Sequence, residues 1–155
     1  TRTDQHTPLK VIYAGIGSIV KSCVLKEPYI IDTSVYYIIP DSEDEAYYLT
    51  AYLNSDIITE NVQLIGSTGQ SGTLRNIHKT PLKFGLKKYD PSNETHKQLA
   101  DLGRQAERLV IDLIEKDKIE QNQQLSRRSI QNIILQNEEL KEIIKEIDLK
   151  IKRQK

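Results

Sequence analysis

"EAYYLTAYLNSDI" (45–57), "IGSTGQSG" (65–72) and "RNIHKTPLKFGL" (75–86) form the stretch on which the reading of this chain turns. An aromatic-rich apolar run ends at Leu-Asn-Ser, a loop of Gly, Ser and Thr follows, and a basic segment leads out of it. Just upstream, Ser42-Glu43-Asp44-Glu45 reads as a capping box, in which Ser42 accepts from the third-position N–H and Glu45 reaches back. Acids in that first turn also suit the positive end of a helix dipole. Ala46, Leu49 and Leu53 recur on one face, so the spacing predicts an amphipathic helix to about Asn54. Ser55 can cap a second short helix over 56–64. In "LKFGL" (82–86) the alternation predicts a strand, with Leu82, Phe84 and Leu86 inward and Lys83 and Lys87 outward. Between Arg75 and Lys88 there are five Lys/Arg and no Asp or Glu. A surface loop beside a local positive strip points to an anionic partner, with nucleic acid as the leading candidate.

Toward the N-terminus, "LKVIYA" (9–14) and "SIVKSCVL" (18–25) read as a hairpin turned by Gly15-Ile16-Gly17. The second strand leaves its faces open: Ile19, Cys23 and Leu25 share one with Lys21, and Val20 and Val24 lie on the other. "GIGSIV" lacks the third glycine of a dinucleotide loop, and β-branched residues follow where a helix should open. "YII" and "VYYII" (29–39) are strand-like around the turn formers Asp32, Thr33 and Ser34. The loop 66–72 is either a flexible connector or a surface whose N–H, hydroxyl and Gln70 amide groups face a polar ligand. It lacks the Lys of a P-loop.

From Ser92 onward the composition changes. Leu99, Leu102, Ala106, Leu109 and Leu113 form one helical stripe. Ile130, Ile133, Asn137, Leu140, Ile144, Ile147 and Ile151 form a second in heptad spacing, with Asn137 at an a position where a polar residue sets register. The two stripes are out of phase across "QNQQLSRRS" (121–129). The helix therefore either runs on through a stammer or folds back as a hairpin.

The totals fit a small core with much solvated surface: 155 residues, 37% apolar, 28% charged and no net charge. Charge balance alone does not signal nucleic acid. Met is absent and the chain opens on Thr1, as a piece of a longer protein would. No run has membrane-spanning length. The single Cys23, expected to be buried, fits a reduced cytoplasmic setting. His6, His78 and His96 stand without a second metal ligand at helix or loop spacing. "PDSEDE" (40–45) lacks the Glu-x-Lys of a nuclease, and no Asp/Asn-Pro-Pro-Tyr/Phe motif for base amino methylation occurs. The chain is expected to be non-catalytic on its own and to need neither metal nor cofactor.

"EAYYLTAYLNSDI" (45–57), "RNIHKTPLKFGLKKYD" (75–90) and "NETHKQLADLGRQAERLV" (93–110) together resemble the target recognition domains of DNA adenine methyltransferases. These include the specificity subunits of type I restriction-modification systems and the C-terminal region of enzymes similar to TaqI methyltransferase. The resemblance spans roughly Val11 to Val110, carried by Leu-Asn-Ser followed at a distance by Asn-Ile-x-Lys-x-Pro-Leu. It implies an α+β domain that reads double-stranded DNA, a long helix that packs on a partner helix, and a methyltransferase subunit or catalytic domain as partner. The globular part is shorter than is usual in that family. No base-reading residue is fixed across the family, so none is carried over.

The expected fold is α+β: a recognition domain over 1–91 with a short sheet and helices, then a helical spacer or dimerisation arm over 92–155. Ser67, Thr68, Gln70, Ser71 and Thr73 are the candidates for bases or sugars. Arg75, His78, Lys79, Lys83 and Lys87 are those for phosphates or guanine edges, with Ser18 and Lys21 weaker. Leu99, Leu102, Leu109, Leu113, Ile130, Ile133, Asn137, Leu140, Ile144, Ile147 and Ile151 are the candidates for pairing with a second copy or a partner helix. The alternative function is a coiled-coil oligomerisation module without DNA.

Overall fold

The β-branched and aromatic residues of the N-terminal third pair into a small antiparallel sheet. Strands β1 (Lys10–Ala14), β2 (Ser22–Leu25) and β3 (Val35–Ile38) lie in the order β2-β1-β3. The computed structural model describes residues 3–17, 19–65, 77, 79–121 and 126–154. Val11 pairs with Val24 and Tyr13 with Tyr36, and this register turns Val11, Tyr13 and Val24 to the core together with Val20. The open choice of face is thereby decided. Cys23 takes the other parity and is exposed, contrary to the burial expected of it. The run 29–31 stays out of the sheet. Asp32 accepts from the Ser34 and Val35 N–H groups, so the turn closes before β3 begins and leaves Tyr29 and Ile30 exposed.

Helix α1 (Glu43–Leu53) lies on the sheet. Ser42 Oγ accepts from Glu45 N at 3.1 Å. The Glu45 carboxylate reaches back to the Asp41 N–H at 2.6 Å, one residue beyond the usual partner. Every residue from Ala46 to Leu53 is buried, so α1 is the centre of the molecule rather than an amphipathic surface helix. It touches β1, β2, α2 (Asp56–Ile65), α3 (Glu94–Gln121) and α5 (Glu138–Arg153). At the α1–α3 crossing a Cβ on Gly103 would stand 2.5 Å from the Tyr47 carbonyl oxygen, so the glycine sets how closely the two helices approach.

The architecture is α+β, with α3 as its long helix. Beyond α3 the chain doubles back: α4 (Arg127–Gln136) and α5 both pack on α3, and α5 also reaches α1 and α2. The uninterrupted heptad helix is corrected by Asn137, which has an extended ψ of 115° and ends α4. Its side chain then accepts from Leu140 N at 2.8 Å and caps α5, whose first turn carries Glu138 and Glu139. A short amide that bonds its own backbone here competes with helix continuation. Ile147 and Ile151 join Val11, Tyr48, Leu53 and Leu99 in one buried cluster. Asp148 of α5 accepts from Ile57 N at 3.4 Å at the start of α2.

Candidate nucleic-acid interface

The two halves of the motif pair meet on α1. Asn54 clamps β2, accepting from Ser22 N at 2.7 Å and donating to Ser22 O at 3.0 Å. Ser55 donates to Tyr52 O at 2.7 Å and accepts from Ile58 N at 3.3 Å, so one hydroxyl closes α1 and opens α2. Tyr52 OH donates to Phe84 O at 2.8 Å and Tyr48 OH to Lys87 O at 2.9 Å. Leu-Asn-Ser thus braces the sheet and α2, while the helix before it holds the basic segment. Buried tyrosine rings with hydroxyls at the edge of a core need such partners. Burial pushes the Tyr48 hydroxyl up to about 12, which keeps it protonated and donating.

The basic segment is not a strand. Pro81, buried and without an N–H, sits in a 3-10 turn over Thr80–Lys83, and Gly85 turns the chain again with a φ of 71°. The expected alternation fails at Leu82, which is 40% exposed because Pro81 occupies the inward position. Phe84, Leu86 and Tyr89 pack on the core, while Lys79, Lys83, Lys87 and Lys88 are exposed. Lys87 has a partner: its ammonium donates to the Gln154 carbonyl at 2.6 Å, at the end of α5. A cation there also suits the negative pole of that helix.

Ser67, Thr68, Gln70, Ser71, Thr73, Arg75, His78 and Ser18 lie outside the described residues. The far root of their loop is fixed, since Ile77 is fully buried and its N–H donates to Gly15 O at 2.9 Å. Val20 N donates to Thr59 Oγ1 at 3.3 Å, tying α2 to the same β1–β2 turn. Lys21, exposed, stands next to the Asn54 clamp.

Of the pairing residues, Leu99 and Leu102 are buried under α1, and Leu140, Ile147 and Ile151 are buried within the molecule. Leu109, Leu113, Ile130, Ile133 and Ile144 are half-buried along the hairpin, and Asn137 is a cap. Tyr48, Tyr52 and Gly103 were not singled out by the sequence, and Asn54 only as part of Leu-Asn-Ser. The signal for the tyrosines was their spacing on a helix that turned out to be covered on every side.

A second polar cluster surrounds Tyr47, beside a cleft of about 330 Å³. The Lys26 and Arg104 cations stand 5.4 and 4.9 Å from its ring centroid, and its hydroxyl donates to Glu107 at 2.6 Å. Lys26 pairs with Glu43 at 3.2 Å, and Arg104 pairs with Asp44 and Asp101. Lys26 and Arg104 each have a counter-charge, and Arg108 also lines the cleft. No family model, curated protein or solved structure matches this chain. Among the described residues no helix is long and apolar enough to cross a membrane.

Proposed function

We propose that this chain is the DNA target-recognition module of a restriction-modification methyltransferase, acting with a catalytic domain or subunit that it does not itself supply. The observation that carries the reading is the segment 79–88, held across α1 by tyrosine hydroxyls, with Lys79, Lys83 and Lys88 outward and no acid within it. Fixed cations on one segment can follow a phosphate backbone even where the molecule has no net charge, because the field acts within a Debye length of ~8–10 Å. The loop 66–76, rooted at Ile65 and Ile77, is the element to read bases. Contacts of the segment would set register and those of the loop would set sequence.

The test is fluorescence anisotropy of the full chain with duplex DNA at several salt concentrations. Lys79→Gln with Lys83→Gln is expected to weaken binding to all sequences and to flatten the slope of log affinity against log salt by about 2 units, ~0.9 for each lysine that no longer meets a phosphate. Lys87→Gln is expected to change the slope less, because Gln154 already engages that ammonium. Gln70→Ala should relax sequence preference at nearly constant slope. A double variant with wild-type affinity and slope removes the phosphate role from this segment.

Helix pairing is a further part of the proposal, now confined to the outer α3–α4 hairpin. Ile119 and Leu135 are exposed there, and α4 has no fully buried residue. Sedimentation of the full chain against an Ile119→Lys, Leu135→Lys variant tests it; equal masses for the two exclude pairing through this end.

A further inference from the structure

The segment that carries the candidate phosphate contacts is fastened at three backbone points of equal spacing. Tyr52 OH donates to Phe84 O at 2.8 Å and Tyr48 OH to Lys87 O at 2.9 Å. The third point has reversed polarity: the Asp90 N–H donates to His96 Nδ1 at 3.0 Å. His96, on the first turns of α3, is only 3% exposed, and its ring forms a triangle with those of Tyr48 and Tyr89, 4.8 and 6.2 Å from their centroids. Because Nδ1 accepts, the neutral imidazole carries its proton on Nε2, which is buried without a hydrogen-bond partner among the described residues.

We infer that Tyr52, Tyr48 and His96 are positioning residues that latch residues 84–90 onto α1 and α3, and that protonation of His96 withdraws the third fastening. A proton on Nδ1 would face the Asp90 N–H, so two donors would oppose one another and the bond would be broken. The consequence for DNA rests on the proposed function; the latch itself does not. Lys83 and Lys88 flank the first two fastenings, so their placement depends on them.

The groups facing the imidazole set the direction of the effect. Burial holds its pKa below the ordinary histidine value, the Asp90 carboxylate opposes this, and the Lys87 ammonium adds to it. Asp90 is itself engaged by the Ser92 N–H and hydroxyl at 2.8 and 2.7 Å. On the α1 side the facing group is Tyr48, whose hydroxyl is occupied by Lys87 O. With the folded pKa depressed, the unfolded chain binds the proton more readily. The stabilisation is therefore fully present above about pH 6.5 and declines as pH falls from there through the folded pKa.

Residue-resolved amide exchange of the full chain between pH 7.5 and 5, corrected for intrinsic rates, tests the latch on the unaltered protein. Protection at Asp90 is expected to fall at least about fivefold as the His96 ring titrates, the scale of one hydrogen bond, while Leu49 in α1 holds its protection. His96→Phe keeps a ring in the site without an acceptor and should give low Asp90 protection that no longer varies with pH. Tyr48→Phe should lower Asp90 protection at every pH. Constant Asp90 protection through the His96 titration overturns the inference. In duplex binding, Tyr48→Phe with Tyr52→Phe is expected to lower affinity by about the same factor as each fastening contributes. Unchanged affinity and salt slope overturn the positioning role. Absence of any duplex affinity in the wild type overturns the nucleic-acid reading alone, because the exchange measurement needs no ligand.

Discussion

Gly103 shows how one residue can decide a helix crossing. Ala in the middle of α3 would gain about 0.8–1 kcal/mol of helix propensity over Gly. Its Cβ, however, would meet the Tyr47 carbonyl oxygen at 2.5 Å and carbon at 3.2 Å, and the Ala51 Cβ at 3.4 Å. Backbone atoms of a helix buried on all sides cannot rotate away, so α1 and α3 must separate. Overpacking of this kind costs ~1–3 kcal/mol, and separation also weakens the packing of Leu99 and Leu102. The steric loss exceeds the propensity gain. Gly103→Ala is expected to lower the melting temperature by several degrees at ~2–4 °C per kcal/mol, and Gly103→Val by more. An alanine variant that melts at or above the wild type would mean that the close approach of α1 and α3 does not depend on the glycine.

Asn137 carries the argument from residue to element. An Asn buried at an a position of a continuous coiled coil would be replaced by Ile with a gain in stability. The cap reverses that expectation. Oδ1 accepts from Leu140 N, and the residue's ψ of 115° breaks the helix between α4 and α5. Asn137→Ala is expected to cost about 1 kcal/mol, Asn137→Asp to be nearly neutral, and Asn137→Ile to lower the melting temperature, all read by thermal denaturation. A higher melting temperature for Asn137→Ile would restore the uninterrupted helix. The same comparison explains which elements the sequence made legible. The Ser42 cap, the Ser55 cap, the first hairpin and the long helix were readable because each has a local cause in a side chain or an alternation. The turns at 80–85 were not, because a period of two is necessary for a strand but not sufficient, and Pro81 and Gly85 override it. The heptad at 130–151 was legible as apolar spacing, but the spacing left its neighbour open, and α4 and α5 pack on α3. Period alone does not tell a helix that meets another chain from one that returns to its own core.

At the scale of the whole molecule, that return makes the C-terminal helices part of the fold that holds the candidate site. If residues 125–155 were an arm, their removal would leave the first ninety residues folded. Instead α5 contributes Ile147 and Ile151 to the cluster that contains Val11, Leu53 and Leu99. Asp148 meets the start of α2, and the Gln154 carbonyl holds the Lys87 ammonium. Burial of the two isoleucines alone is worth ~1.5–3 kcal/mol each, and their removal uncovers the faces they protect. A domain of this size is stable by only ~5–15 kcal/mol, so the truncation removes a large part of the whole. A chain ending at residue 124 is expected to melt at least ~10 °C lower or to bind a hydrophobic dye in the cold, with loss of amide protection in α1 as well as in α3. The segment 79–88 should lose its latch in the same transition, because α1 supplies two of the three fastenings. Duplex affinity would then fall with the fold rather than with oligomeric state. Calorimetry of the truncated chain, together with its sedimentation mass, separates the two cases. A monomer with an unchanged melting temperature would show that the helices after α3 are an appendage after all.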